Sequence, residues 1–273
     1  MPTIAVLQVL FLATTGALRV AVSGAGGQTG QHVFRKLLAR DIDSVGIVRS
    51  EESKAALLDS SVPADCVVVA DITDSAALKA AVASCDAFCI CSSAKPAPTG
   101  VMNEETGRPV FGFPNGMPEE VDWTGQKNQI DAMPADAHVV ICSSMGGTDP
   151  NHMLNSLGNG NILKWKRKAE LYLIESGRPY TIVHPGGLIN EPGGERELVL
   201  GVDDSQAGTE SRTVPREDVA EVIVQALLND GYRGRSIDLR AKPVGDGSPT
   251  RDFVALLDTL GGRNCDYSLG EVA

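Results

Sequence analysis

Short runs of consecutive apolar residues recur along the chain: LRVAVS (18–23), VGIV (45–48), CVVVA (66–70), AFCIC (87–91), HVVIC (138–142), YTIV (180–183) and SIDL (236–239). Each has strand length, and most lack the polar alternation of a half-exposed strand, so they predict parallel strands covered on both faces. Between them the periodicity changes to that of helices. Val33, Phe34, Leu37 and Leu38 form one stripe with His32, Arg35, Lys36 and Arg40 outside it. Val219, Val222, Ile223, Ala226 and Leu227 form another, entered through Pro215, a helix-start signal. Strand and helix in alternation predict an α/β fold: a single doubly wound parallel sheet over residues 18–273.

Two stretches interrupt the rhythm. Residues 95–120 and 186–212 are rich in Gly and Pro and are expected to be long loops. Both follow strands, so both are expected at the carboxyl edge of the sheet, where ligands bind in such folds and where long loops act as lids. Residues 1–17 are a further exception. Ile4–Ala13 is apolar and small residues follow, like a secretory targeting segment, but no positive stretch precedes it and it is too short to span a bilayer. A cleaved leader, an extra strand and a disordered leader all remain open, and the expected compartment is cytoplasmic or plastid, with secretion as the alternative.

Composition narrows the partners. With 24 basic against 35 acidic residues, the net charge of −11 disfavours nucleic acid. Of the six cysteines, Cys66, Cys89, Cys91 and Cys142 fall in the strand-like runs, where a thiol behaves as a small hydrophobe. That usage fits a reducing compartment, and with no His or Cys nearby in sequence at zinc-ligand spacing no metal site is expected.

The first strand runs into SGAGGQTG, in which Gly24, Gly27 and Gly30 are three apart and Gly26 is an additional glycine. Glycines between a strand and an amphipathic helix permit a tight turn, close approach of backbone N–H groups to a pyrophosphate, and phosphate placement at the positive end of the helix. The second strand ends in Arg49-Ser50 and not in the carboxylate that binds the ribose of NAD. Arg49 is suited to a bidentate contact with a 2′-phosphate, so NADP is the expected cofactor, although Glu51 and Glu52 follow. Asp71-Ile72, after the third strand, are expected beside the adenine; Asp71 has helix capping as its alternative role.

These segments, with VDWTGQKNQIDA (121–132), SSMGG (143–147), GNGNILKWKRKAE (158–170), PYTIVHPGGL (179–188) and VPREDVAEV (214–222), resemble the atypical short-chain dehydrogenase/reductases from about residue 18 to about 255. The resemblance implies a Rossmann-like domain with bound NADP(H). It extends the cofactor-binding set to Gly24, Gly26, Gly27, Gln28, Thr29, Gly30, Arg49, Ser50, Asp71, Ile72, Ser92, Lys166, Pro185 and Gly186. It also implies Ser143 (or Ser144) and Lys166 as the catalytic serine and lysine. The family's tyrosine, four residues before the lysine, is replaced by Ile162, which has no proton to exchange. Tyr172 and Tyr180 are badly placed to substitute. Lys166 could act in proton transfer if burial lowered its pKa. His184, where the family often has Arg, is expected to pack in the interior. Two functions follow from the resemblance: an NADPH-dependent oxidoreductase of a small carbonyl or enone, or a non-catalytic NADP(H)-binding redox sensor or assembly factor with a protein partner. No membrane association is expected in either.

Overall fold

A computed structural model describes residues 18–273, so the apolar leader lies outside the described residues. The chain opens with β1 (Arg19–Ser23), α1 (Gly30–Leu38), β2 (Asp43–Val48), α2 (Glu51–Leu57), β3 (Val67–Val69), α3 (Ser75–Val82) and β4 (Ala87–Ile90). A hairpin of β5 (Ala97–Met102) and β6 (Pro109–Gly112) follows, then α4 (Gln126–Ala132), β7 (His138–Cys142), α5 (Met153–Ser156) and α6 (Ile162–Glu175). The remainder comprises β8 (Tyr180–Pro185), β9 (Gly187–Ile189), β10 (Leu198–Gly201), β11 (Thr213–Pro215), α7 (Arg216–Leu228), β12 (Arg235–Ala241) and α8 (Phe253–Asp258).

The strands form an eight-stranded sheet in the order β10-β12-β8-β7-β4-β1-β2-β3, parallel except for β10 at one edge. This is the expected doubly wound α/β sheet. Alternation along β1 divides the core: Val20 and Val22 pack with Val33, Phe34 and Leu37 of α1 and Val222 and Ile223 of α7. Ala21 packs on the other face with Leu78, Ile130 and Leu173 of α3, α4 and α6. Burial on both faces is why the central strands carry runs of consecutive apolar residues.

The two expected loops differ from expectation. Residues 95–120 contain the β5–β6 hairpin. Residues 186–212 contain β9 and the antiparallel edge strand β10, so that stretch completes the sheet instead of forming a loose lid.

Candidate functional site

Chain order reverses between β1 and β4, each paired in parallel with the other, and this switch point is where such sheets bind ligands. A cavity of about 750 Å³ opens there, lined by Gly24, Gly26 and Gly27, by Arg49 and Ser53, by Asp71, Ile72 and Thr73, by Cys91, Ser92 and Ser93, and by Lys95, Asn115, Gly116, Glu120, Val121 and Thr124. It has the size of a small-molecule site. The 95–120 segment therefore does reach the cavity; the 186–212 segment is not in its lining.

The cradle depends on missing side chains. Gly24 sits at φ +61°, and a Cβ there would come within 2.8 Å of the Cys91 carbonyl oxygen. A Cβ on Gly30 would collide with the Gly24 carbonyl oxygen. The Gly27 N–H donates to that oxygen at 2.7 Å and closes the turn. The N-terminus of α1 has no side-chain cap at Thr29 and no acidic residue in its first turn. An uncapped positive helix end behind a glycine cradle fits a pyrophosphate.

At the end of β2, Arg49 Nη2 donates to Asn115 Oδ1 at 2.8 Å, tying the strand end to the segment after the hairpin. Ser50 is elsewhere: it is the N-cap of α2, its Oγ accepting from the Ser53 N–H at 3.1 Å, and it is not in the cavity lining. Ser53, which sequence reasoning missed, takes that place. Asp71 does not cap α3, a role that belongs to Asp74. It accepts instead from Thr73 N–H and Oγ1 at 2.8 and 2.7 Å, and these bonds lower its pKa. Ser92 receives Gln129 Nε2 at 3.1 Å. Gln28 is exposed, and neither it nor Thr29 lines the cavity. Cys91 does, and burial raises its thiol pKa well above the ordinary value, with Cys142 and Cys89 adding to it, which disfavours the thiolate.

A π-helical turn at Glu119–Gly125 runs into α4 and turns Asp122 inward. Asp122 is fully buried, accepting from the Ala94 N–H at 3.0 Å and pairing with Lys166 Nζ at 2.8 Å. Ala94 lies between Ser93 and Lys95 of the cavity wall, so the pair stands directly behind it. Burial is the largest influence on Lys166 and would lower its pKa, but Asp122, with Cys142 and Glu170, outweighs it and the net shift is upward. The shift is therefore opposite to the lowering that proton transfer would need.

Asn155 Oδ1 caps the start of α6 by accepting the Leu163 N–H at 2.9 Å. This places Ile162 four residues before Lys166, buried among Ala94, Leu163, Phe113 and Val121. None of the four tyrosines replaces it on the cavity. Tyr172 donates to Asp131 at 2.6 Å, Tyr232 to the Phe253 carbonyl at 2.7 Å, and Tyr267 to Glu170 at 3.1 Å; Tyr180 is likewise not in the lining.

Ser143 is buried and donates to Glu170 Oε1, and it too is absent from the cavity lining. Glu170 also meets His184 Nε2 at 3.3 Å. Burial would raise the Glu170 pKa, but His184, Ser143 and Tyr267 together bring it down to about 2. His184 is buried as expected, yet not as a packing residue: burial opposes its charge, while Glu170 and Asp238 raise its pKa well above 6.5. Pro185 and Gly186 are held by the sheet, with the Pro185 carbonyl accepting from Met145 at 3.0 Å and the Gly186 N–H donating to Leu239 at 2.9 Å. They are not in the cavity lining either. Asp122 lies in the resembling segment 121–132 and Asn115 in the expected 95–120 loop, but no sequence signal singles either out, and none points to Tyr267; their roles depend on partners far away in the chain.

Comparison with known proteins agrees with this geometry. The family model described as NAD(P)H-binding matches residues 24–230. An uncharacterized chloroplastic protein of Arabidopsis thaliana is 50% identical over 250 residues, covering 89% of this chain and 76% of that protein. Sanguinarine reductase of Eschscholzia californica is 44% identical over 266 residues, covering 89% of this chain and 96% of that enzyme. Among solved structures, a short-chain dehydrogenase/reductase of Veillonella parvula in complex with NADP superposes with a TM-score of 0.55 at 18% identity, covering 86% of this chain and 99% of that one. An oxidoreductase of Lactococcus lactis gives a TM-score of 0.64 at 18% identity, covering 90% and 98%.

Proposed function

The chain belongs to the NAD(P)H-binding family of atypical short-chain dehydrogenase/reductases, and from that premise we propose that it is an NADPH-dependent reductase of a small carbonyl or enone. The observation that carries the reading is the switch-point cavity, with a glycine cradle at one wall and Arg49, not a carboxylate, at the end of β2. The relative named sanguinarine reductase supports reduction as the activity.

In this reading Gly24, Gly26 and Gly27, with the uncapped end of α1, hold the pyrophosphate. Gly30 keeps that helix close to the turn. Arg49 and Ser53 hold the 2′-phosphate, and Asp71 and Ile72 flank the adenine. NADPH, when bound, supplies the hydride. Lys166 is kept protonated by Asp122 and contributes a fixed positive charge behind the Ser93–Lys95 wall. With no tyrosine on the cavity, the chain offers no proton donor of the family's usual kind. An enone fits this shortage, because after hydride addition at carbon its enolate can take a proton from water. The chloroplastic relative supports a plastid location, and among the described residues no helix is long and apolar enough to cross a membrane.

Ile162, buried where the family has tyrosine, favours a second reading: an NADP(H)-binding module without catalysis, acting through a protein partner. Incubation with NADPH deuterated at C4 and a metabolite extract separates the two. A deuterated product absent from the no-protein control is expected for a reductase. Bound-nucleotide fluorescence without transfer to any metabolite of the extract would favour the module.

A further inference from the structure

A second cluster, between the sheet and the C-terminal segment, has chemistry that the proposed reduction does not use. His184 on β8 and Asp238 on β12 are direct partners in the parallel register, and Cys265 reaches them from the chain beyond α8. Three ligating atoms converge. His184 Nδ1 lies 3.3 Å from Asp238 Oδ1, and Cys265 Sγ lies 3.8 Å from the former and 3.9 Å from the latter. A tetrahedral zinc ion with bonds of about 2.0 Å to N and O and about 2.3 Å to S needs edges of about 3.3 Å for N···O and about 3.5 Å for S···N and S···O. The N···O edge already matches, and the sulfur edges close with a shift of about 0.4 Å, within reach of a small rotation of the cysteine side chain.

Two of the three ligands are also fixed from behind. Asp238 Oδ2 accepts the Asp204 N–H at 2.8 Å, leaving Oδ1 to the cluster. His184 Nε2 faces Glu170 Oε2 at 3.3 Å, and Glu170 is itself held by Ser143 and Tyr267. A carboxylate on the far nitrogen of a ligating histidine is the outer-shell arrangement that orients zinc-bound imidazoles. A cavity of about 10 Å³ adjoins all three ligands, about the room one water needs as a fourth ligand. His184 and Asp238 are buried, while Cys265 is half-buried and leaves an approach from the surface.

We propose that His184, Asp238 and Cys265 form a zinc site, with Zn²⁺ bound by imidazole Nδ1, carboxylate Oδ1 and thiolate Sγ and with water in the fourth position. Binding takes Cys265 as thiolate and the His184 Nδ1 lone pair, and any proton either ligand carries leaves to solvent. The site clips the C-terminal segment to the sheet, beside the Tyr267 ring on which the Arg167 guanidinium stacks at 4.6 Å. The small cavity beside it is also lined by Lys166 and Arg167, but the zinc site does not depend on the activity assigned to the cofactor cavity.

The test is titration of the full-length, reduced, metal-stripped chain with Co²⁺ and then Zn²⁺. Expected are one equivalent bound, a thiolate-to-cobalt charge-transfer band, tetrahedral visible absorption, and displacement of both by Zn²⁺. Cys265→Ser is expected to remove the band and to weaken Zn²⁺ by more than about 100-fold, beyond the roughly 10- to 100-fold loss caused by deleting an outer-shell carboxylate. Absence of the band, or its persistence in Cys265→Ser, would overturn the proposal. If that variant does not fold, alkylation of the native chain decides: Zn²⁺ must protect Cys265 in the peptide mass spectrum, and equal labelling with and without Zn²⁺ overturns the site.

Discussion

Replacing Asp122 with Asn tests the charge pair behind the cavity wall. The two groups are 2.8 Å apart, with Asp122 at 0% and the Lys166 side chain at 7% exposure. At an effective dielectric of about 20 their gross attraction is about 6 kcal/mol, largely offset by the cost of desolvating both. Asn keeps an oxygen for the Ala94 N–H but turns an amide donor toward the ammonium, leaving a buried charge without its partner. The expected loss is about 3–5 kcal/mol at neutral pH, read by urea unfolding. The pH dependence has a definite sign. In the native chain the Lys166 pKa is raised, so its contribution is present through neutral pH and lost only as pH rises through the folded value. In Asp122→Asn the largest opposing influence is gone and burial, against only Cys142 and Glu170, is expected to lower that pKa, so the unfolded chain binds more protons and the variant recovers stability as pH rises toward about 10. Lys166→Met alone leaves Asp122 stranded at a similar cost, whereas the double variant is expected within about 1–2 kcal/mol of the native chain. A loss below about 1 kcal/mol for Asp122→Asn, or full additivity in the double variant, would refute the reasoning.

Two further perturbations probe the core and the cradle. His138 is buried, with Nε2 2.9 Å from Thr181 Oγ1, and burial, followed by the Arg233 charge, lowers its pKa from 6.5 to about 4. A depressed folded pKa gives stability that is present above about pH 6.5 and lost as pH falls toward 4, a total of about 3 kcal/mol; His138→Gln should flatten that acid limb in pH-dependent urea melts, and an unchanged limb would count against the assignment. Gly30→Ala forces a methyl against the Gly24 carbonyl, so a destabilisation of about 1–3 kcal/mol is expected. NADPH affinity should fall with it, and a variant with native stability and affinity would show that the turn is looser than described.

The strands were legible because burial on both faces leaves an unbroken apolar run, as in Val20–Val22 or Val139–Ile141, and the glycine turn because its spacing follows backbone geometry. Strand β10 was not: Leu198–Gly201 is short and embedded in a Gly- and Glu-rich stretch, and its strand character comes from pairing with β12. The hairpin at 97–112 is mostly exposed and carries no core-facing alternation to read. Within the site, Arg49 and Asp71 could be located from strand ends. The environment of Lys166 could not, because Asp122 lies 44 positions earlier and nothing in its segment shows that it pairs with Lys166. Ser143 was assigned by its position after β7, but its hydroxyl is taken up by Glu170. Tyr267 and Cys265 join that network from beyond the sheet, a tertiary proximity that no periodicity encodes.

The central claim is that the switch-point cavity selects NADPH through Arg49. Calorimetric titration of the native chain and of Arg49→Ala with NADPH and NADH tests it most directly. A charge-assisted, bidentate phosphate contact contributes about 1.5–3 kcal/mol, so Arg49→Ala is expected to weaken NADPH by about 10- to 100-fold and leave NADH nearly unchanged. Equal affinity of the native chain for the two nucleotides, or equal losses for both in the variant, would contradict the account.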